Sequence, residues 1–255
     1  FEGVYEFARD FRNEGMSRFH NPEFTMLELY VAFEDYQWMM SQTEKLLEEL
    51  AMELHGSTVL QVGENRIEFK APFQRVTLYD AISEKAGVRV DDLDEAALRD
   101  LAKQHKIETD PSMGRAKLLD TLFGELVEPT LIQPTFVMDY PVEMSPLAKA
   151  HRSRPGLVER FELICNSKEI ANAFSELNDP LDQRARFEAQ LDLGKRGDPE
   201  AMVLDEDFLR ALEFGMPPTA GIGIGIDRLA MIMTNAASIQ EVLLFPQMRP
   251  EKSEG

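Results

Sequence analysis

The chain has 255 residues, 44% of them hydrophobic and 29% charged, with 46 acidic against 27 basic side chains and a net charge of −19. That excludes an intrinsically disordered chain, leaves ample material for a core, and excludes a general nucleic-acid binder, whose phosphate contacts need clustered Lys and Arg. One cysteine, Cys165, excludes an intrachain disulfide and fits a reducing, cytoplasmic setting, and no apolar run of about 18 residues predicts a membrane-spanning helix.

The first residues, FEGVYEFARDFR, lack the apolar stretch of a signal peptide and read as a strand already in progress, which suggests a fragment. Residues 2–11 and 22–33 alternate in strand fashion around the polar stretch 12–21, so a long antiparallel hairpin is expected. A helix is predicted from Asp35 to about Leu54. Trp38, Met39, Leu46, Leu47, Leu50 and Leu54 form its apolar stripe, with Glu44, Glu48 and Glu49 opposite, and Gly56 ends it. Residues 57–72 predict a second hairpin turned at Gly63-Glu64-Asn65. From about Thr77 to Val127 the pattern is helical and acidic. Asp91-Asp92-Leu93-Asp94 caps one helix to about Lys103, and Met113 to Val127 forms another. Residues 80–130 are expected to be a solvated helical insertion.

Strand character returns at 131–140, then in a hairpin of 159–166 with 168–176. Helices are expected at 180–195 and 205–214, and 219–235 runs from a glycine-alternating strand into a helix starting near Asp227. Several antiparallel hairpins with helices between them predict an α+β fold with one antiparallel sheet. No βαβ rhythm supports a Rossmann reading.

Three constellations carry chemistry. In FRNEGMSRFHNPEFTMLELY (11–30), Arg12 at a strand end suits a phosphate and a carboxylate, Glu14 suits an exocyclic amine, and Phe24 suits stacking on a purine. Glu28 and Tyr30 occupy alternate positions of the returning strand. A charged hairpin tip with a core-facing Phe remains open for the segment taken alone. In RFELICNSKEIANAFSELND (160–179), Glu162 and Glu169 are expected to face each other across a tight turn at Asn166-Ser167 and to attract a hard divalent cation. Two exposed carboxylates on an edge hairpin is the alternative. Asn172, Phe174 and Glu176 share one strand face, which suits a side chain with an apolar stem and a cationic tip. In GIGIGIDR, the glycines Gly221, Gly223 and Gly225 strip one face of a strand so that a flat ligand lies on backbone. Arg228 stands in the first turn of the helix, placed either to grip phosphate or to form a surface ion pair.

Together these segments resemble the class II aminoacyl-tRNA synthetases in the form carried by the lysyl-tRNA synthetases. FRNEGMSRFHNPEFTMLELY resembles motif 2, TAGIGIGIDRLAMIMTNAASIQEVLLFPQMRP resembles motif 3 and the family's C-terminal end, and EMSPLAK (143–149) with RFELICNSKEIANAFSELND resembles the segments between. The likeness runs along essentially the whole chain and is weakest at 80–130. It implies an antiparallel catalytic sheet flanked by helices, magnesium as cofactor, ATP, L-lysine and tRNA(Lys) as partners, and a homodimer. It assigns Arg12, Glu14, His20, Phe24, Glu162 and Arg228 to ATP, with Arg12 also on the lysine carboxylate and Arg12 and Arg228 as the catalytic pair. It assigns Glu162 and Glu169 to magnesium, and Glu28, Tyr30, Asn172, Phe174, Glu176 and Gly223 to lysine. The chain departs from the pattern at Phe19, where many members carry an Arg. It also lacks the family's anticodon-binding domain, motif 1 and a strand supplying a further Glu, so a front portion needed for efficient turnover is expected to be missing. The competing readings are a protein-modifying lysyltransferase of the elongation factor P type and a non-catalytic module on the same fold.

Overall fold

The computed structural model describes residues 1–13, 15–195 and 204–247. Its centre is a seven-stranded sheet in the order β1 (Gly3–Phe11), β2 (Glu23–Ala32), β9 (Thr219–Gly225), β8 (Lys168–Ser175), β7 (Arg160–Cys165), β6 (Thr135–Met138), β5 (Gln74–Thr77). Every neighbouring pair is antiparallel except β5 with β6. The strand β5 and its parallel pairing are absent from the sequence expectation. Four residues carry too little alternation to be told from the helix start beside them. A parallel pair needs a long crossover, and helices α2 (Leu78–Ala86), α3 (Glu95–Gln104) and α4 (Arg115–Leu126) fill it.

Those helices are not a solvated appendage. Leu78, Ile82, Leu98, Leu118, Leu119 and Leu122 are fully buried, and they form one apolar cluster with Val137, Tyr140, Val158 and Ile164 of the sheet region. The acidic residues lie on the outer faces and drew the sequence reading toward solvent. The other face of the sheet is covered by α1 (Tyr36–His55). Its Met39, Met40, Leu47 and Ala51 pack on Phe136, Phe161, Leu163, Ala173 and Ile222. Full burial of each large apolar side chain there contributes about 1.5–3 kcal/mol. Phe136 and Phe161 meet edge to face with ring centroids 4.9 Å apart.

Asp35 caps α1 by accepting from the amides of Gln37 and Trp38, and Gly56 closes it at φ 65°. The buried stripe is rotated from the expected one. Leu46 and Leu54 are exposed, while Glu44 is buried and accepts from the amide of Phe73 and the guanidinium of Arg75. A carboxylate with both partners supplied inside a core is tolerated there, and apolar periodicity alone misplaces it. The hairpin of β3 (Val59–Val62) and β4 (Asn65–Glu68) forms separately, and α5 (Pro180–Lys195), α6 (Glu206–Glu213) and α7 (Ile226–Thr234) complete the chain.

Two local features position the site. The β7–β8 turn places Asn166 at φ 52° and Ser167 at φ 60°, the left-handed pair that a two-residue hairpin turn requires. The ladder then slips: Leu163 faces Ala171 but Ile164 faces Glu169, so Ile170 is an extra residue bulged into β8. With α2–α4 covering the β5–β6–β7 end of one sheet face, the β2–β9–β8 part of that face stays open.

Candidate functional site

Register places the candidate residues on that open face. Glu28 of β2 faces Gly223 of β9, which faces Asn172 of β8, which faces Glu162 of β7. One step along, Tyr30, Gly221, Phe174 and Arg160 align in the same way. The glycines make room for their neighbours. A Cβ on Gly221 would collide with a carboxylate oxygen of Glu176 and lie 2.7 Å from the Tyr30 ring, and one on Gly223 would lie 2.9 Å from Glu28. The glycine strand is therefore a floor for side chains from both sides.

At one end of the face is a cavity of about 240 Å³, lined by Arg12, Phe19, His20, Phe24, Glu169, Asn172, Gly223, Gly225 and Arg228, among others. Its walls are tied together. The guanidinium of Arg12 lies 5.3 Å from the Phe24 ring centre. Arg228 donates to the Glu169 carbonyl at 2.9 Å and to His20 Nε2 at 3.0 Å. Arginine only donates, so His20 Nε2 accepts and its Nδ1–H donates to Ser17 Oγ at 2.8 Å. Asp227, buried at the start of α7, accepts from the Thr25 amide at 2.7 Å and locks β2 to that helix. The amide of Ile239 donates to the Arg18 carbonyl at 2.8 Å, fastening the 12–22 loop from behind.

At the other end, outside the cavity, are Glu28, Tyr30, Phe174 and Glu176. Tyr30 donates to Glu28 at 3.0 Å. Burial pushes the Glu28 carboxyl above its ordinary range, and the Tyr30 hydrogen bond only partly offsets this. Burial and the nearby Glu28 push Glu176 up to about 8. Among the described residues neither carboxyl forms an ion pair with a basic side chain, although the charge of Arg12 acts on Glu28 from the cavity end.

Glu162 and Glu169 do not face each other as the sequence suggested. The Ile170 bulge offsets them, and Glu162 stands opposite Asn172. They are still electrostatic neighbours: burial, and next the charge of Glu162, raise the Glu169 carboxyl, with Arg228, Arg160 and Arg12 opposing. The Glu169 side chain keeps 42% exposure because it looks into the open cavity, and its nearest cationic group is Arg228 at 3.8 Å. Glu162 does not line the cavity. One of its oxygens accepts from Arg160 at 2.5 Å, and the Tyr140 hydroxyl lies beside the same carboxylate. Glu14 lies outside the described residues. Arg160, Asn21 and Met26 also shape this face and were missed from sequence. Arg160 was findable, because it stands two residues before Glu162 and so shares its face.

Residues 1–249 match the family model described as tRNA synthetases class II (D, K and N), and the chain belongs to that family. Its sheet and its glycine floor are thus those of a class II synthetase domain. Within the family, a protein named lysine–tRNA ligase from Porphyromonas gingivalis is 59% identical over 252 residues, covering 99% of this chain and 44% of the relative. Proteins of the same name from Azobacteroides pseudotrichonymphae and Christiangramia forsetii are 59% and 60% identical over 99% of this chain, which covers 50% and 44% of their lengths. The chain spans about half the length of the relatives it matches.

Proposed function

We propose that this chain holds the adenylate-forming site of a lysine–tRNA ligase. It binds ATP and L-lysine, the lysine carboxylate oxygen bonds to the α-phosphorus as the bond to pyrophosphate breaks, and the lysyl group passes to tRNA(Lys). The observation that carries this reading is the Glu28–Glu176 pair. Two partly buried carboxyls with no basic side chain paired to them among the described residues, beside the Phe174 wall and one step from an arginine-flanked cavity, suit an amino acid with an apolar stem and an ammonium tip.

In this reading Arg12 and Arg228 neutralise charge on the phosphoryl oxygens as the transition state forms, and Arg12 also orients the lysine carboxylate. Phe24 and the Arg228 guanidinium sandwich the purine. His20 holds Arg228 in place and meets the phosphates, while Glu14 accepts from the adenine amino group. Gly223 and Asn172 line the path of the lysine backbone, and Tyr30 sets the Glu28 carboxylate. No side chain acts as nucleophile or general base.

Glu162 and Glu169 fit a magnesium ion. They are hard oxygen donors whose mutual repulsion a divalent cation relieves, and Glu162 keeps one oxygen clear of Arg160. Among the described residues no group of three or more potential ligands occurs, so such an ion would take its remaining ligands from phosphate and water. When bound, magnesium supplies charge neutralisation to the phosphate chain. The resemblance to the lysyl-tRNA synthetases supports a homodimeric, cytoplasmic protein. Among the described residues no helix is long and apolar enough to cross a membrane.

The test is lysine-dependent exchange of pyrophosphate into ATP, by this chain and by its Glu176→Gln variant. Leaving Glu28 to meet the ammonium alone is expected to raise KM for lysine about 100-fold, equivalent to ~3 kcal/mol, with KM for ATP little changed. Exchange driven equally by a neutral amino acid would overturn the reading.

A further inference from the structure

Arg160 touches neither the cavity nor the Glu28–Glu176 pair, yet it contacts Asn172, Glu162 and Phe174. Its side chain is only 13% exposed. Nε donates to Asn172 Oδ1 at 3.1 Å, one terminal nitrogen donates to Ser145 Oγ at 2.8 Å and the Met144 carbonyl at 2.9 Å, and the other donates to Glu162 at 2.5 Å. Its guanidinium carbon lies 4.4 Å from the Tyr140 ring centre and 5.8 Å from that of Phe174. A planar fork with fixed donor directions makes these contacts together, which a lysine ammonium does not reproduce.

We infer that Arg160 is a positioning residue that links the Glu162 carboxylate to the lysine pocket. Arginine cannot accept a hydrogen bond, so the contact with Asn172 forces Oδ1 toward Arg160 and leaves the Asn172 NH2 as a donor to the cavity that this residue lines. The same guanidinium lies beside the Phe174 ring and fixes that wall. Because Glu162 anchors one arm of the fork, a change at Glu162 reaches the amino-acid pocket through Arg160 even with no metal ion present. The inference rests on the lysine reading of the pocket.

The experiment is a double-mutant cycle on lysine affinity, measured by calorimetry in EDTA without ATP, with thermal melting to confirm that each variant is folded. Arg160→Lys is expected to weaken lysine binding about 10-fold, and Glu162→Gln about 5-fold in the parent chain. Within the Arg160→Lys background, Glu162→Gln is expected to add less than about 1.5-fold. Ser145→Ala removes one anchor of the fork at the site's margin and is expected to weaken lysine about 2-fold, which decides the matter should the Arg160 variant not fold. Additive effects, or Glu162→Gln and Ser145→Ala variants that bind lysine as the parent does, overturn the inference alone. A parent chain that binds no lysine overturns the pocket reading together with it.

Discussion

Replacing Glu176 with Gln should make the ligand-free protein more stable, by an amount that grows as pH rises above 4.5 and levels off above about 8. Glu176 has its carboxyl raised from 4.5 to about 8, first by burial and then by the charge of Glu28. The folded state therefore holds the Glu176 proton more tightly than the unfolded chain does. Its contribution to stability is complete below pH 4.5 and is lost as pH rises through about 8. The full displacement corresponds to ~5 kcal/mol at ~1.4 kcal/mol per tenfold. Water in the open face screens the ionised form, so we expect about 1–3 kcal/mol to be recovered by the variant at pH 9. For a chain of this size that is a rise in melting temperature of about 2–10 °C. At pH 5, where Glu176 is protonated, parent and variant should melt within about 1 °C of each other. Scanning calorimetry at pH 5, 7 and 9 reads this directly. A variant that melts below the parent at pH 9, or whose advantage is the same at pH 5, would refute the account of a buried, unpaired carboxyl.

Two further outcomes are expected. Gly221→Ala drives a methyl into the Glu176 carboxylate and the Tyr30 ring and should weaken lysine at least about 10-fold, whereas Gly225→Ala, whose nearest neighbour is the Ile170 carbonyl at 3.7 Å, should change it by less than about 3-fold; calorimetric titration with lysine separates them. The Tyr140 hydroxyl is fully buried beside the Glu162 carboxylate but forms no hydrogen bond of good geometry with it, so Tyr140→Phe should cost less than about 1 kcal/mol by thermal melting, and a larger loss would show a strong bond to Glu162.

Much of this architecture was legible because side-chain period tracks strand and helix wherever one face is apolar. Both site hairpins, α1 and the glycine strand with α7 stand where alternation and capping put them. The errors share a cause: each involves a residue whose surroundings come from a distant part of the chain. Glu44 is buried because Arg75 and the Phe73 amide reach it, and β5 is a strand because β6 lies beside it. The acidic helices α2–α4 are packed because Val137, Tyr140 and Ile164 offer them an apolar surface. The site was legible by residue type at Arg12, Glu28, Glu176 and Arg228. At Arg160 the position was legible, two residues before Glu162, but the role was not, because its four hydrogen bonds depend on the register between β7 and β8 and on the Met144–Ser145 turn.

Glu169 and Glu176 are seven positions apart. In an unbroken strand an odd separation sends two side chains to opposite sides of the sheet. Here Glu169 borders the cavity and Glu176 meets the glycine floor of the same face, because Ile170 occupies a place in the chain but none in the ladder. The bulge is thus a parity switch: it converts odd spacing into even and lets one short strand serve the phosphate end and the amino-acid end of the site. Drawing Ile170 into a regular ladder with the chain length unchanged would divide the site between two sides of the protein, whereas deleting Ile170 would leave Glu169 and Glu176 six apart and on one face.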